Sequence, residues 1–266
     1  MAGTIDLATG TVSNHNGSEV PQRVQVQPDG LVVRGVRTDR RRVYYATKRA
    51  IDLAVVTVLA PFVALTMLVL GIIIRIDSRG PVIFRQERVA ARRVRRGDEW
   101  LWELKPITVY KLRTMRSDAD QSVHADYLAA YIAGDEDAMK ELQPDRDDDS
   151  YKMTTDDRIT RVGAKLRALS LDEVPQLWNV ARGDMSLVGP RPPIGYEVEK
   201  YSKSDLIRLA GRPGLTGWWQ VSGRSSLTFR EMVDLDTEYL TRQSTLFDLK
   251  ILMKTLPVVM SRQGAG

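Results

Sequence analysis

The run IDLAVVTVLAPFVALTMLVLGIII, from Ile51 to Ile74, constrains this chain more than any other stretch. Asp52 is its one charge, and the next is Arg75. A straight helix over it would be about 36 Å long at ~1.5 Å per residue, more than the ~30 Å hydrocarbon core of a bilayer. Length alone therefore reads as a single membrane span. Two features point elsewhere. Pro61, near the middle, removes a helix hydrogen bond and favours a bend. Both flanks are basic: Arg40, Arg41, Arg42, Lys48 and Arg49 come before, and Arg75, Arg79, Arg85 and Arg88 after. Basic flanks prefer the cytoplasm, so a helix that enters, bends at Pro61 and returns satisfies both ends. A fully buried core helix is the third option, though so long an all-round apolar helix rarely suits a domain of this size.

The chain has 266 residues, 43% of them hydrophobic, enough for one large domain or two small ones. Its net charge of +5 calls for an anionic partner: nucleic acid, anionic lipid or a phosphorylated small molecule. There is no cysteine, which excludes disulfides and thiolate metal sites. With only His15 and His124 available, a histidine-built zinc site is disfavoured. Metal chemistry would be carboxylate chemistry, which favours Mg²⁺ or Mn²⁺.

Three regions follow. Residues 1–42 read as a flexible polar tail, in which VQVQ and LVVRGV are candidate short strands, and no signal-peptide pattern opens it. Residues 43–76 are the basic flank and the membrane helix. Residues 77–266 form the main domain. Within it RGPVIFRQERV reads as a strand, ARRVRRGDEW as an irregular basic loop, and the following residues as a strand ending near Met115. Lys111 and Arg113 share one face of that strand. Residues 116–153 read as an acidic, partly helical surface excursion whose carboxylates are solvated. Asp157 to about Leu169 has helical apolar spacing. Pro175 fits the first turn of a helix over Gln176 to Ala181, stopped by Gly183. Two helices close the chain. The last either lies on a membrane with Lys250 and Lys254 at the headgroups or packs on the core.

Between those central helices, in LSLDEVPQLW, Asp172 and Glu173 are adjacent carboxylates inside an apolar run. Acids before a helix are ordinarily caps that favour its dipole. Here the apolar neighbours imply partial burial, where two like charges raise each other's pKa unless cations attend them. Arg167, Arg182 and Arg191 are near in sequence, Lys111 and Arg113 if their strand folds close, and the GPRP of residues 189–192 holds an arginine in a stiff turn. Two carboxylates, one or both able to hold Mg²⁺, and several guanidinium groups suit phosphoryl transfer. An aspartate can attack phosphorus and form an acyl-phosphate. A hydrolase or a kinase could use the same parts, but GxxxxGK[ST] is absent, which excludes a P-loop protein.

Seven motifs in order, KRAIDL, GPVIFRQERV, YKLRTM, DDRITRVG, LRALSLDEVPQLWNVARGDMSLVGPRP, RPGLTGWWQVSGR and DLKILMKTLPVV, resemble the bacterial sugar transferases, the polyprenyl-phosphate sugar-1-phosphate or monotopic phosphoglycosyl transferases. The resemblance covers Lys48 to the C-terminus. It implies an α+β, mostly helical fold: a re-entrant membrane helix, broken at Pro61, joined to a cytoplasmic catalytic domain with a small sheet and interfacial amphipathic helices. Some members break at Ser-Pro; here the pair is Ala60-Pro61, which lacks the hydroxyl that could satisfy a freed backbone group. The implied reaction moves a sugar-1-phosphate from a UDP-sugar to a polyprenyl phosphate on the cytoplasmic face of the plasma membrane, releases UMP, and opens exopolysaccharide, capsule or O-antigen assembly. Asp172 would be the nucleophile, with Glu173 joining it around Mg²⁺ (or Mn²⁺). Lys111, Arg167 and Arg191 would hold phosphates, as would Arg88, Arg113 and Arg224; Arg212 reads as a loop charge. Homo-oligomers and downstream glycosyltransferases are the expected protein partners. A non-catalytic membrane adaptor of the same fold is the alternative. Nucleic-acid binding rests only on charge and the RRVRR run, which reads better as a patch beside a membrane helix.

Overall fold

The computed structural model describes residues 24–27, 30–33, 41–97, 99–116, 122–144, 151 and 158–260. Residues 1–23, most of the expected tail, lie outside it. The two candidate strands within that tail are strands, β1 (Val24–Gln27) and β2 (Gly30–Val33). They join a four-stranded antiparallel sheet in the order β1-β2-β4-β3.

Helix α1 (Arg42–Asp77) is 36 residues long and continuous through Pro61. The expected helix-break-helix is therefore not an interruption of the helix. Proline removes one N–H and leaves every other turn its own hydrogen bonds. The core-helix option is excluded, because only Lys48, Asp52 and Ile74 of α1 are buried. Nothing in its most apolar 18-residue stretch is buried.

The start of α1 is bolted to the domain by its polar residues. Lys48 Nζ lies 2.9 Å from Asp248 Oδ2, which also accepts from the Tyr44 hydroxyl at 2.9 Å, while Tyr239 donates to Asp248 Oδ1 at 2.8 Å. Arg49 donates to the carbonyls of Val180 and Ala181. Asp52 Oδ1 accepts from Leu187 N–H and Ser186 Oγ. Partners on the domain thus hold all three charges of this segment, Lys48, Arg49 and Asp52. Near its other end, α1 packs Met67, Leu70 and Ile74 against Leu112 and Leu166.

Strands β3 (Ile83–Arg96) and β4 (Glu99–Leu112) form one long hairpin. This corrects the irregular basic loop expected around ARRVRR. Alternation spreads the arginines over both faces, Gly97 supplies the left-handed turn residue at φ 60°, and Arg93 lies over the rings of Tyr45 and Trp100.

The excursion holds α2 (Ser122–Ala133) and α3 (Glu136–Leu142), packed together through Tyr127, Ala130 and Met139. Next comes α4 (Arg161–Ala168), capped by Thr160, whose hydroxyl accepts from Gly163 N–H at 2.9 Å. The expected start at Asp157 lies outside the described residues. A Cβ on Gly163 would stand 2.0 Å from the Thr114 carbonyl oxygen, so glycine alone lets α4 meet the end of the hairpin. Helix α5 (Gln176–Arg182) begins after Pro175 and ends at left-handed Gly183, as expected. Strand β5 (Ser186–Val188), the short α6 (Gly195–Val198) and β6 (Gly214–Thr216) follow, β5 pairing in parallel with β6. Helix α7 (Phe229–Arg242) opens on a Thr228–Glu231 capping box, and α8 (Thr245–Met260) closes the fold. Phe247, Asp248 and Ile251 of α8 are buried, whereas Leu246, Leu249, Met253 and Leu256 form an exposed apolar face. Lys250 and Lys254 lie over the Trp218 ring, 5.6 and 5.0 Å from its centre.

Candidate active site

Leu171–Glu173 is one turn of 3-10 helix, entered through Ser170 in the left-handed region (φ 54°). That turn swings the Asp-Glu pair out of the line of α4 and toward β4. Asn179, fully buried on α5, fixes the distance: its Oδ1 accepts from Tyr110 N–H at 3.2 Å and its Nδ2 donates to the Thr108 carbonyl at 2.7 Å. The tie brings Lys111, the next residue of β4, against the dyad. Lys111 Nζ donates to Glu173 Oε1 at 3.0 Å and stands 3.7 Å from Asp172 Oδ2. Arg191 Nη1 donates to the same Glu173 oxygen at 3.0 Å.

The turn carrying Arg191 is itself anchored. Val89 N–H donates to the Pro193 carbonyl at 2.8 Å. Arg88 donates to the Pro192 carbonyl at 2.7 Å, and to Gln86 Oε1 through Nε and Nη2. Arg88 thus positions Arg191 as well as lining the site. Arg113 departs from the shared face expected with Lys111: it lies just past β4 and donates to the carbonyls of Ser78 and Arg79, closing the end of α1. Arg224 sits in the left-handed region at φ 51°, its Nε donating to the Gln220 carbonyl. Arg212 lies beside Asp52, outside the cleft.

Asp172, Glu173, Lys111, Arg88, Arg113, Arg167, Arg191 and Arg224 all line one cleft of about 630 Å³. Among the described residues, nine lysine or arginine side chains line it against three carboxylates, Glu197 being the third. Sequence reasoning missed Asn179, the Gln86 partner of Arg88, and Arg208, which also reaches the cleft. Arg208 is paired with Asp236 at 2.8 Å and donates to the Tyr201 hydroxyl. An asparagine inside the apolar QLWNV helix was the one available signal for the first.

The electrostatics separate the two acids. Burial raises the Asp172 carboxyl above its ordinary range, Lys111 partly offsetting this and Glu173 adding to it. Burial acts the same way on Glu173, but the charges and hydrogen bonds of Arg191 and Lys111 hold it well below the usual carboxylate range. Burial lowers Lys111, with Glu173 opposing, and pushes Arg88 down to about 10 with help from Arg191. Among the described residues no three metal-ligating side chains cluster. From the described residues a divalent ion at the dyad would draw the two carboxylates Asp172 and Glu173, a donor set that fits Mg²⁺, an ion that fills its shell with substrate phosphate and water.

The two acids are thus held differently inside a cationic cleft, in a chain that also carries a long apolar helix. Residues 43–262 match the family model described as bacterial sugar transferase. The chain belongs to this family. Among its bacterial sugar transferase relatives is the galactosyl transferase CpsE of Streptococcus agalactiae, 41% identical over 187 residues, which are 70% of this chain and 36% of that protein. The UDP-galactose-lipid carrier transferase of Erwinia amylovora is 48% identical over 118 residues, 44% of this chain and 25% of that one. The UDP-glucose:undecaprenyl-phosphate glucose-1-phosphate transferase of Caulobacter vibrioides is 32% identical over 252 residues, 92% of this chain and 78% of that one. The chain thus spans about a third and a quarter of the length of the first two.

Proposed function

We propose that this chain is a membrane-bound phosphoglycosyl transferase that moves a sugar-1-phosphate from a UDP-sugar to a polyprenyl phosphate. The observation that carries the reading is the division of labour in the dyad. Glu173 takes both the Lys111 and the Arg191 hydrogen bonds, while Asp172, lining the same cleft, stands 3.7 Å from Lys111. Asp172 is therefore the nucleophile. One of its oxygens bonds to the β-phosphorus, the bridging P–O bond breaks, and its electron pair leaves on UMP. An oxygen of the lipid phosphate then attacks the same phosphorus and the aspartate leaves, giving the polyprenyl-diphosphate sugar. Lys111 and Arg191 stabilise charge on the transferring phosphoryl group, and Arg167 and Arg224, which line the same cleft, take the diphosphate. Asp172 and Glu173 would hold Mg²⁺, which when bound neutralises diphosphate charge.

The membrane reading rests on α1. Residues 57–62 are exposed all round the helix, while Val55 and Val56 on one side and Met67, Leu70 and Ile74 on the other touch the domain. A helix held at both ends and bare around Pro61 fits re-entry, with a bend at Pro61 as its apex and both ends on the cytoplasmic side. The exposed apolar face of α8 would lie in the interface plane. Relatives named for lipid-carrier and undecaprenyl-phosphate transfer agree with the acceptor class. The test is UMP release by protein in nanodiscs given Mg²⁺, polyprenyl phosphate and a panel of UDP-sugars. Lipid-dependent UMP that disappears in Asp172→Asn is expected. UMP release that survives in Asp172→Asn would remove the aspartate as nucleophile.

A further inference from the structure

One face of the described part of the excursion turns away from solvent. His124, Tyr127, Leu128, Tyr131 and Ile132 of α2 recur at the spacing of one helix face, and all five line the cleft that holds Asp172. Such a face ordinarily seals against a core; here it closes a cavity. Three ties clamp it to the cleft's rim. His124 Nδ1 is 2.8 Å from the Tyr196 hydroxyl on α6, just beyond the turn that carries Arg191. The Tyr131 hydroxyl donates to the Leu227 carbonyl at 2.8 Å. Tyr151 N–H donates to the Ser225 carbonyl at 2.7 Å, beside Arg224.

Helix α2 contains no lysine or arginine, so it cannot serve the phosphates. With Tyr127 and Tyr131 hydroxyls spent on backbone carbonyls, it offers the cleft rings and aliphatic carbons instead. We propose that α2 is the donor-recognition wall of the cleft, its His124, Leu128 and Tyr131 contacting the uncharged rings of the nucleotide sugar while the facing cations take the diphosphate. This rests on the donor reading above. Uracil and hexose share the chemistry required, a flat or apolar ring face with a hydrogen-bonding edge.

The experiment titrates UMP, UDP-glucose and UDP-galactose onto the full-length protein in nanodiscs, for wild type, His124→Ala, His124→Gln and Leu128→Ala. The same proteins are then assayed for UMP release, each with its melting temperature measured. The expected result is a donor Kd and KM raised about fivefold or more, the worth of one lost contact, with the lipid KM and kcat within twofold of wild type. If UMP binding weakens in step, the wall reads the base; if UMP binding holds while the glucose-to-galactose preference shifts, it reads the sugar. Unchanged donor binding in stably folded His124→Ala and Leu128→Ala would overturn the proposal, as would a rise confined to the lipid KM. Should wild type bind UDP-sugars yet release no UMP, the transfer reading falls while the binding comparison still decides the wall. Wild type that binds no UDP-sugar would remove both.

Discussion

At the scale of single residues, burial and hydrogen bonding give two chemically similar acids opposite behaviour. Glu173 is ionised throughout the working range because two cations share one of its oxygens. Asp172, raised by burial and by its neighbour's charge, is the group that titrates. A nucleophile must be ionised, so activity is full above the raised pKa and is lost as pH falls through it. The acid limb of the pH–rate profile is expected to lie above the ~4 of an ordinary aspartate. Lys111→Met removes the cation that opposes the shift and should move the limb higher still. A limb at the ordinary value in wild type, or one unmoved by that substitution, would contradict this assignment. The dyad was legible in the sequence because its apolar surroundings made adjacent acids anomalous. Which acid is clasped and which is left to react was not legible, since Lys111 and Arg191 come from segments 62 and 18 residues away from Glu173.

At the scale of elements, the closing and central helices follow directly from their signals. Pro175 and Gly183 bound α5, and Thr228 with Glu231 starts α7. The basic hairpin defeated pattern reading because its arginines come in adjacent pairs, Arg92-Arg93 and Arg95-Arg96, which a strand divides between its two faces. The docking of α1's polar start is not written in local pattern either, because Lys48, Arg49 and Asp52 meet partners far along the chain. Lys48→Ala should expose that partnership. It leaves Asp248 buried without its cation, at a cost of about 3–5 kcal/mol, whereas the paired change Lys48→Met with Asp248→Asn, which removes the charge and keeps a carbonyl acceptor beside the Tyr44 and Tyr239 hydroxyls, should recover part of the loss. Denaturation midpoints of the single and double variants in detergent measure both. Equal destabilisation by single and double variants would mean that the ion pair is not what seats the helix.

At the scale of the whole molecule, a long apolar helix and the domain that holds the cationic cleft share one structure, since α1 touches the domain on both sides of its bare centre. The absence of cysteine makes the topology simple to read. Val43→Cys and Ile76→Cys lie at highly exposed positions near opposite ends of α1. A membrane-impermeant maleimide should label both in inverted vesicles and neither in intact cells; labelling of one from each side would establish a span instead. Composition and periodicity by themselves determined the apolar helix and the acid pair, because each is written in contiguous residues. The tertiary structure alone decided that α1 is docked by Lys48, Arg49 and Asp52, that Arg113 serves the fold rather than standing beside Lys111, and that α2 walls the cleft. Those outcomes depend on which distant segments meet, and no local spacing encodes a hydrogen bond between residues that only the folded core brings together.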